Sequence, residues 1–143
     1  YDFETSEKPS VQVANRRLVM KLKDNFGLLY RVRRHGGHRG LLEHKIFQTC
    51  INLIWFRNKQ DVGVVYNKYL NLFPITGLAL VIAAIECCVD EWTTGSHSDV
   101  AFTEDDYKEV YEKHLTNLLK FEEHTKAHNI LPRLLQRFHN NGQ

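Results

Sequence analysis

Eight cationic side chains crowd one short stretch: Arg16, Arg17, Lys21, Lys23, Arg31, Arg33, Arg34 and Arg39, opposed there by Asp24 alone. Clusters of this kind bind phosphate backbones by displacing condensed counterions, with a log–log salt slope of roughly one per contact. At about 100° per residue, Arg16, Arg17, Lys21, Lys23, Arg31 and Arg34 all fall away from the helical face built by Leu18, Leu22 and Leu29. The functional reading is a nucleic-acid or polyanion surface. The plainer reading is a solvated face, or an intramolecular partner for acidic residues later in the chain. Arg33, Arg34, His35, His38 and Arg39 surround glycines, which lets side chains converge on a phosphate.

Other groups carry weaker chemical signals. Glu86 and Asp90 are four apart, a spacing compatible with paired carboxylates. A buried carboxylate needs a partner, which Arg16, Arg17 or Lys21 could supply, so a structural salt bridge is favoured over general acid–base work. Cys50, Cys87 and Cys88 lie in apolar segments and read as small hydrophobes. A Cys–His nucleophile pair has no selected partner among the eight histidines. His124 and His128 are four apart on an expected helix and could grip a metal between them. No cysteine lies near to complete a zinc set, and neither metal nor cofactor is expected. Trp55, Phe56, Tyr66, Tyr69 and Phe73 could stack bases or anchor a partner, but core closure under a loop is the simpler account. No nucleophile elbow, phosphate-cradling glycine loop, HExxH or dinucleotide fingerprint occurs.

These groups must be positioned by helices. The 143 residues, 43% hydrophobic and 25% charged, suit one globular domain. No run approaches the roughly 20 apolar residues of a membrane span, and no signal peptide opens the chain. The odd number of cysteines, two of them adjacent, favours a reducing compartment. Net charge is +2, unevenly spread: residues 1–72 hold 13 Lys or Arg against 6 Asp or Glu, and residues 73–143 hold 6 against 11.

Residues 1–9 read as a polar arm. Ala14, Leu18, Leu22, Phe26 and Leu29 predict a first helix, weakened near Asn25–Gly27 and ended by the glycines at 36, 37 and 40. A second helix is expected over 41–56, with Leu42, Ile46, Cys50, Leu53 and Ile54 inward. Residues 64–73 lean to a short helix. Pro74 opens an apolar helix to about Trp92, expected to be the most buried element. Thr103 and Asp106 form a capping box for a helix reaching about His128, and Pro132 opens the last.

The stretch from His44 to about Leu119 resembles a fungal domain of unknown function abundant in mushroom-forming basidiomycetes. The likeness rests on His44-Lys45-Ile46, Trp55-Phe56, Gly63, Phe73-Pro74-Ile75 with Leu78-Ala79-Leu80-Val81, Glu91-Trp92-Thr93-Thr94-Gly95, Phe102, Tyr107 and Tyr111-Glu112-Lys113-His114-Leu115. The resemblance implies an intracellular fungal protein and no known activity, cofactor or catalytic residue.

The expectation is therefore an all-α irregular bundle of five or six helices around a central apolar helix at about 74–92, with residues 10–143 as one domain. Functionally it is a non-enzymatic binding module in the nucleus or cytoplasm, with no membrane contact. Its partner is an unknown macromolecule, nucleic acid or another polyanion, met through the basic residues above. Self-association or another protein partner is the alternative, and an enzyme using buried carboxylate or Cys/His chemistry a second.

Overall fold

A computed structural model describes residues 1–32, 37–57 and 73–142. Five α-helices stand among the described residues: α1 (Pro9–Lys23), α2 (Lys45–Trp55), α3 (Ile75–Asp90), α4 (Glu104–His124) and α5 (Ile130–Gly142). Two three-residue strands, β1 (Tyr30–Val32) and β2 (Arg39–Leu41), are the only extended pairing among them. The fold is predominantly all-α, as the periodicity predicts. It divides into two compact units, Tyr1–His44 with Ala84–Tyr107 and Lys45–Ala83 with Lys108–Gln143, so that α3 and α4 each give residues to both.

In the first unit, α1 starts at Pro9, where the missing N–H costs nothing. It ends at Lys23 because Asn25 and Phe26 both adopt left-handed backbone, with φ of 46° and 55°. The weak point expected near Asn25–Gly27 is thus a full stop. The chain then runs as a tight 3₁₀ segment, Asp24–Leu29, into an antiparallel hairpin pairing Tyr30 with Leu41 and Val32 with Arg39. The expected helical continuation past residue 29 is corrected by this hairpin, and Arg31 and Arg39 sit on strands.

The inward stripe of α1 is also rotated from the expected one. Asn15, Val19 and Leu22 are buried at helical spacing, whereas Ala14 is exposed and Leu18 half-buried. Asn15, 3% exposed, explains the rotation. Its amide donates to the carbonyls of Glu4 and Gly95, both at 2.8 Å, and its carbonyl oxygen accepts from the Glu4 N–H at 3.3 Å. The polar opening segment is held along α1 by these bonds, by the Tyr1 hydroxyl donating to the Leu28 carbonyl, and by Phe3 stacked on Trp92 with centroids 5.0 Å apart. A buried hydrogen bond contributes about 1 kcal/mol, and an orphaned buried partner costs more. Asn15→Ala is expected to destabilise the protein by about 2 kcal/mol in urea unfolding; an unchanged midpoint would contradict the clamp.

In the second unit, Phe47 and Ile51 form the inward stripe of α2 and are fully buried, with Ile46 and Cys50 partly covered. Leu53 and Ile54, expected inside, are 58% and 51% exposed. Leu53 lies well round the helix from the Phe47–Ile51 ridge, whereas Ile54 continues that ridge by spacing and is exposed at the last turn of α2. Helix α5 packs on α2, where the Gln48 amide donates to the Phe138 carbonyl at 3.1 Å. Phe73 donates its N–H to the Leu135 carbonyl and meets Trp55 edge-on at 4.9 Å. Each fully buried Phe or Leu here contributes about 1.5–3 kcal/mol.

Helix α3 is the most apolar element, burying Leu78, Ala79, Val81, Ile82, Ala83, Ile85, Cys87 and Val89; Leu80 and Cys88 face outward. Helix α4 opens on the expected box: the Asp106 N–H donates to the Thr103 hydroxyl at 3.3 Å and that hydroxyl donates to Asp106 at 2.9 Å. It ends at His124, where the Thr125 hydroxyl donates back to the Phe121 carbonyl. A short 3₁₀ turn, Lys126–His128, and left-handed Asn129 follow. His124 and His128 therefore do not share a continuous helical face. Residues 64–72, read as a short helix, lie outside the described residues.

Candidate functional site

The position of each cation on α1 follows from helix geometry. Measured from the centre of the Asn15–Val19–Leu22 stripe, Lys23 lies about 70° round the helix and Arg16 about 90°. Lys21 lies further round, and Arg17 nearly opposite. The side chains nearest the buried stripe find intramolecular partners. Lys23 pairs with Asp90 and lies 3.9 Å from Glu86. Arg16 donates to the Thr94 carbonyl at 3.0 Å, which leaves its charge unneutralised. Arg17 and Lys21 are exposed, and among the described residues no acidic side chain pairs with them. Met20, 72% exposed, lies between them and Arg16 on the same side of the helix.

On the hairpin, Arg31 pairs with Glu43 at 3.2 Å, while Arg39 is exposed. Gly40, with φ of 74°, leaves room for that pair: a Cβ there would lie 2.9 Å from both Arg31 and Glu43. Arg33 and Arg34 lie outside the described residues. The basic stretch is therefore split. Lys23 and Arg31 are ion-paired within the unit, and Arg16, Arg17, Lys21 and Arg39 remain as outward charge.

The carboxylates expected to pair with Arg16, Arg17 or Lys21 take Lys23 instead. Asp90 is the centre of this cluster, receiving Lys23 on one oxygen and the Tyr107 hydroxyl on the other at 2.8 Å. Burial, then hydrogen bonds with Cys87 and Asp90, push the Tyr107 hydroxyl well above the usual phenol range. Tyr107 is thus a fixed donor. The Cys87 thiol donates to the Val100 carbonyl at 3.5 Å. Burial raises the Cys50 thiol, which disfavours the thiolate a nucleophile needs. Two open grooves, of about 250 and 290 Å³, are lined by Asp2, Glu4, Val11 and Asn15 and by Glu122, Glu123, Lys126 and Pro132. Neither is lined by Glu86, Asp90 or Cys87. The arrangement reads as a structural tie between α1, α3 and the start of α4. Tyr107→Phe, which leaves one Asp90 oxygen without its phenol donor, is expected to cost about 1.5 kcal/mol by urea denaturation.

One further set of side chains converges in this unit. Glu91, His97 and Asp99 bring one ligating atom each to within 4.8 Å of one another. Gly95, at φ of 92°, turns the chain back to make this possible.

Residues 1–121 match the family described as Domain of unknown function (DUF6532). The chain belongs to that family. No curated protein and no solved structure matches it.

The DUF6532 match begins at the first residue, well before the His44–Leu119 stretch that carries the sequence resemblance, and so takes in the opening segment, α1 and the hairpin. Helix α5 lies beyond it. The Glu91–Gly95 anchor gains a physical meaning within the family region. A Cβ on Gly95 would stand 2.4 Å from the Gln12 carbonyl oxygen, so the turn lies directly against α1. Sequence reasoning missed Asn15, Tyr107 as a donor to Asp90, and the Glu91–His97–Asp99 set. The only local signal for the last was a histidine and a carboxylate closely following a glycine turn.

Proposed function

We propose that this domain is a non-enzymatic binding module for a polyanionic macromolecule, nucleic acid being the favoured class, engaged by Arg16, Arg17 and Lys21 of α1. One observation carries the reading: Arg17 and Lys21 stand exposed on the side of α1 turned away from Asn15, Val19 and Leu22, with no acidic partner among the described residues. Exposed Met20 among them offers an apolar contact to a sugar or base. Arg39 is a further cation of the same unit. The resemblance to a fungal domain supports a fungal, intracellular host protein.

Fluorescence anisotropy with a labelled single-stranded RNA and a labelled DNA duplex tests the reading. Three phosphate contacts give a log–log salt slope of about −2 for single strands and about −2.7 for duplex. Affinity then falls roughly 20- to 40-fold between about 50 and 200 mM salt. No binding to either probe at the lower salt would remove the proposal.

A further inference from the structure

We propose that Glu91, His97 and Asp99 form a binding site for a borderline divalent cation of the zinc class. The site lies on the turn between α3 and α4 and shares no residue with the cationic face of α1. Its geometry is close to what such an ion requires. Zinc bonds to imidazole nitrogen and carboxylate oxygen are about 2.0–2.2 Å, so tetrahedral neighbours stand about 3.4 Å apart. Here His97 Nε2 lies 3.1 Å from Glu91 Oε2 and 3.8 Å from Asp99 Oδ1. The two separations bracket the required value. The Asp99 side chain is 97% exposed and rotates freely enough to close the longer one.

The other two donors are held in place. Glu91 accepts the Val100 N–H on its second carboxylate oxygen at 3.5 Å, and its main-chain carbonyl accepts the Ser98 N–H at 2.9 Å. The segment carrying His97 is thereby folded back over Glu91. The His97 ring packs 5.2 Å from the Trp92 ring, which is itself stacked on Phe3. Fixing ligand orientation through neighbouring contacts of this kind is what raises metal affinity. The donor set selects the ion class. One imidazole with two carboxylates suits zinc, cobalt or nickel, whereas calcium and magnesium take all-oxygen sets. Two carboxylates balance the double positive charge. With three protein donors the fourth tetrahedral position stays open to water or to an anionic group.

Zinc titration by calorimetry tests the site, with exposed Cys88 replaced by serine throughout so that its thiol cannot contribute. The Cys88→Ser protein is expected to take up one equivalent saturably. His97→Gln and Asp99→Asn are each expected to weaken binding more than about tenfold, since loss even of a ligand's outer partner costs that much. His124→Gln, on another part of the chain, is expected to leave affinity unchanged. Cobalt seated on His97 is also expected to quench Trp92 emission, whose ring lies 5.2 Å from that imidazole, and Trp92→Phe is expected to lose this signal while zinc binding persists. Undiminished affinity in His97→Gln, or no saturable uptake at millimolar zinc, overturns the assignment.

Discussion

Reversing charge at both Arg17 and Lys21 (R17E with K21E) is expected to weaken polyanion binding roughly 100-fold at about 50 mM salt. Two of three phosphate contacts are lost, and two negative charges now face the ligand. The salt slope should fall by about 1.8 for duplex, 0.9 for each contact removed. That change in slope separates loss of direct contacts from a general loss of attraction. Lys120→Glu with Lys126→Glu makes the same change in net charge at exposed positions of α4 and the turn after it. This pair is expected to leave the slope unaltered. Equal weakening by both pairs would mean that net charge, rather than the face of α1, governs binding. Arg17 and Lys21 are exposed and unpaired among the described residues, so the doubly substituted protein should unfold at an unchanged urea midpoint.

Gly95→Ala is expected to destabilise the protein by about 3 kcal/mol, measured by urea denaturation. Two separate costs combine. Alanine at φ of 92° enters backbone space that only glycine occupies without strain. Its Cβ also meets the Gln12 carbonyl oxygen at 2.4 Å and the Arg16 guanidinium at 3.0 Å. Arg16 can swing away, but the Gln12 carbonyl is part of α1 and can yield only if the helix or the turn moves. Any such movement also pulls the Gly95 carbonyl from the Asn15 amide. The Gly95→Ala and Asn15→Ala costs should therefore not add, because each breaks the same contact; a double-mutant cycle reads this directly. A loss below about 1 kcal/mol for Gly95→Ala would show that the turn relaxes freely.

Local chemistry made several elements legible before any coordinates. The apolar run after Pro74 is α3, and Thr103 with Asp106 caps α4. Both signals are contained within a few residues of the structure they specify. The features that escaped depend on partners far along the chain. Asn15 stands outside the apolar set that predicts the first helix, because the Gly95 carbonyl that justifies burying it lies 80 positions away. A face built on Leu18, Leu22 and Leu29 turns Lys23 to the solvated side, whereas the true face, centred on Asn15, Val19 and Leu22, brings Lys23 to Asp90. His114, 1% exposed, was hidden in the same way by its residue type. The early end of α1 was harder still. Asn25 and Phe26 take left-handed backbone without a glycine at either position, so composition marked only a weak point nearby. The His124–His128 spacing failed for a local reason, since it assumed helix through Thr125, whose hydroxyl closes α4 one residue earlier.

The way Asn15 grips its neighbours also sets what substitution can touch. It reads position 4 only through that residue's main-chain N–H and carbonyl, so any side chain able to extend there serves equally well. Asparagine and glycine at positions 15 and 95 have no such latitude, one needing both a donor and an acceptor, the other a missing methyl. Drift over generations should therefore scatter freely at position 4 while the distant pair stays fixed together.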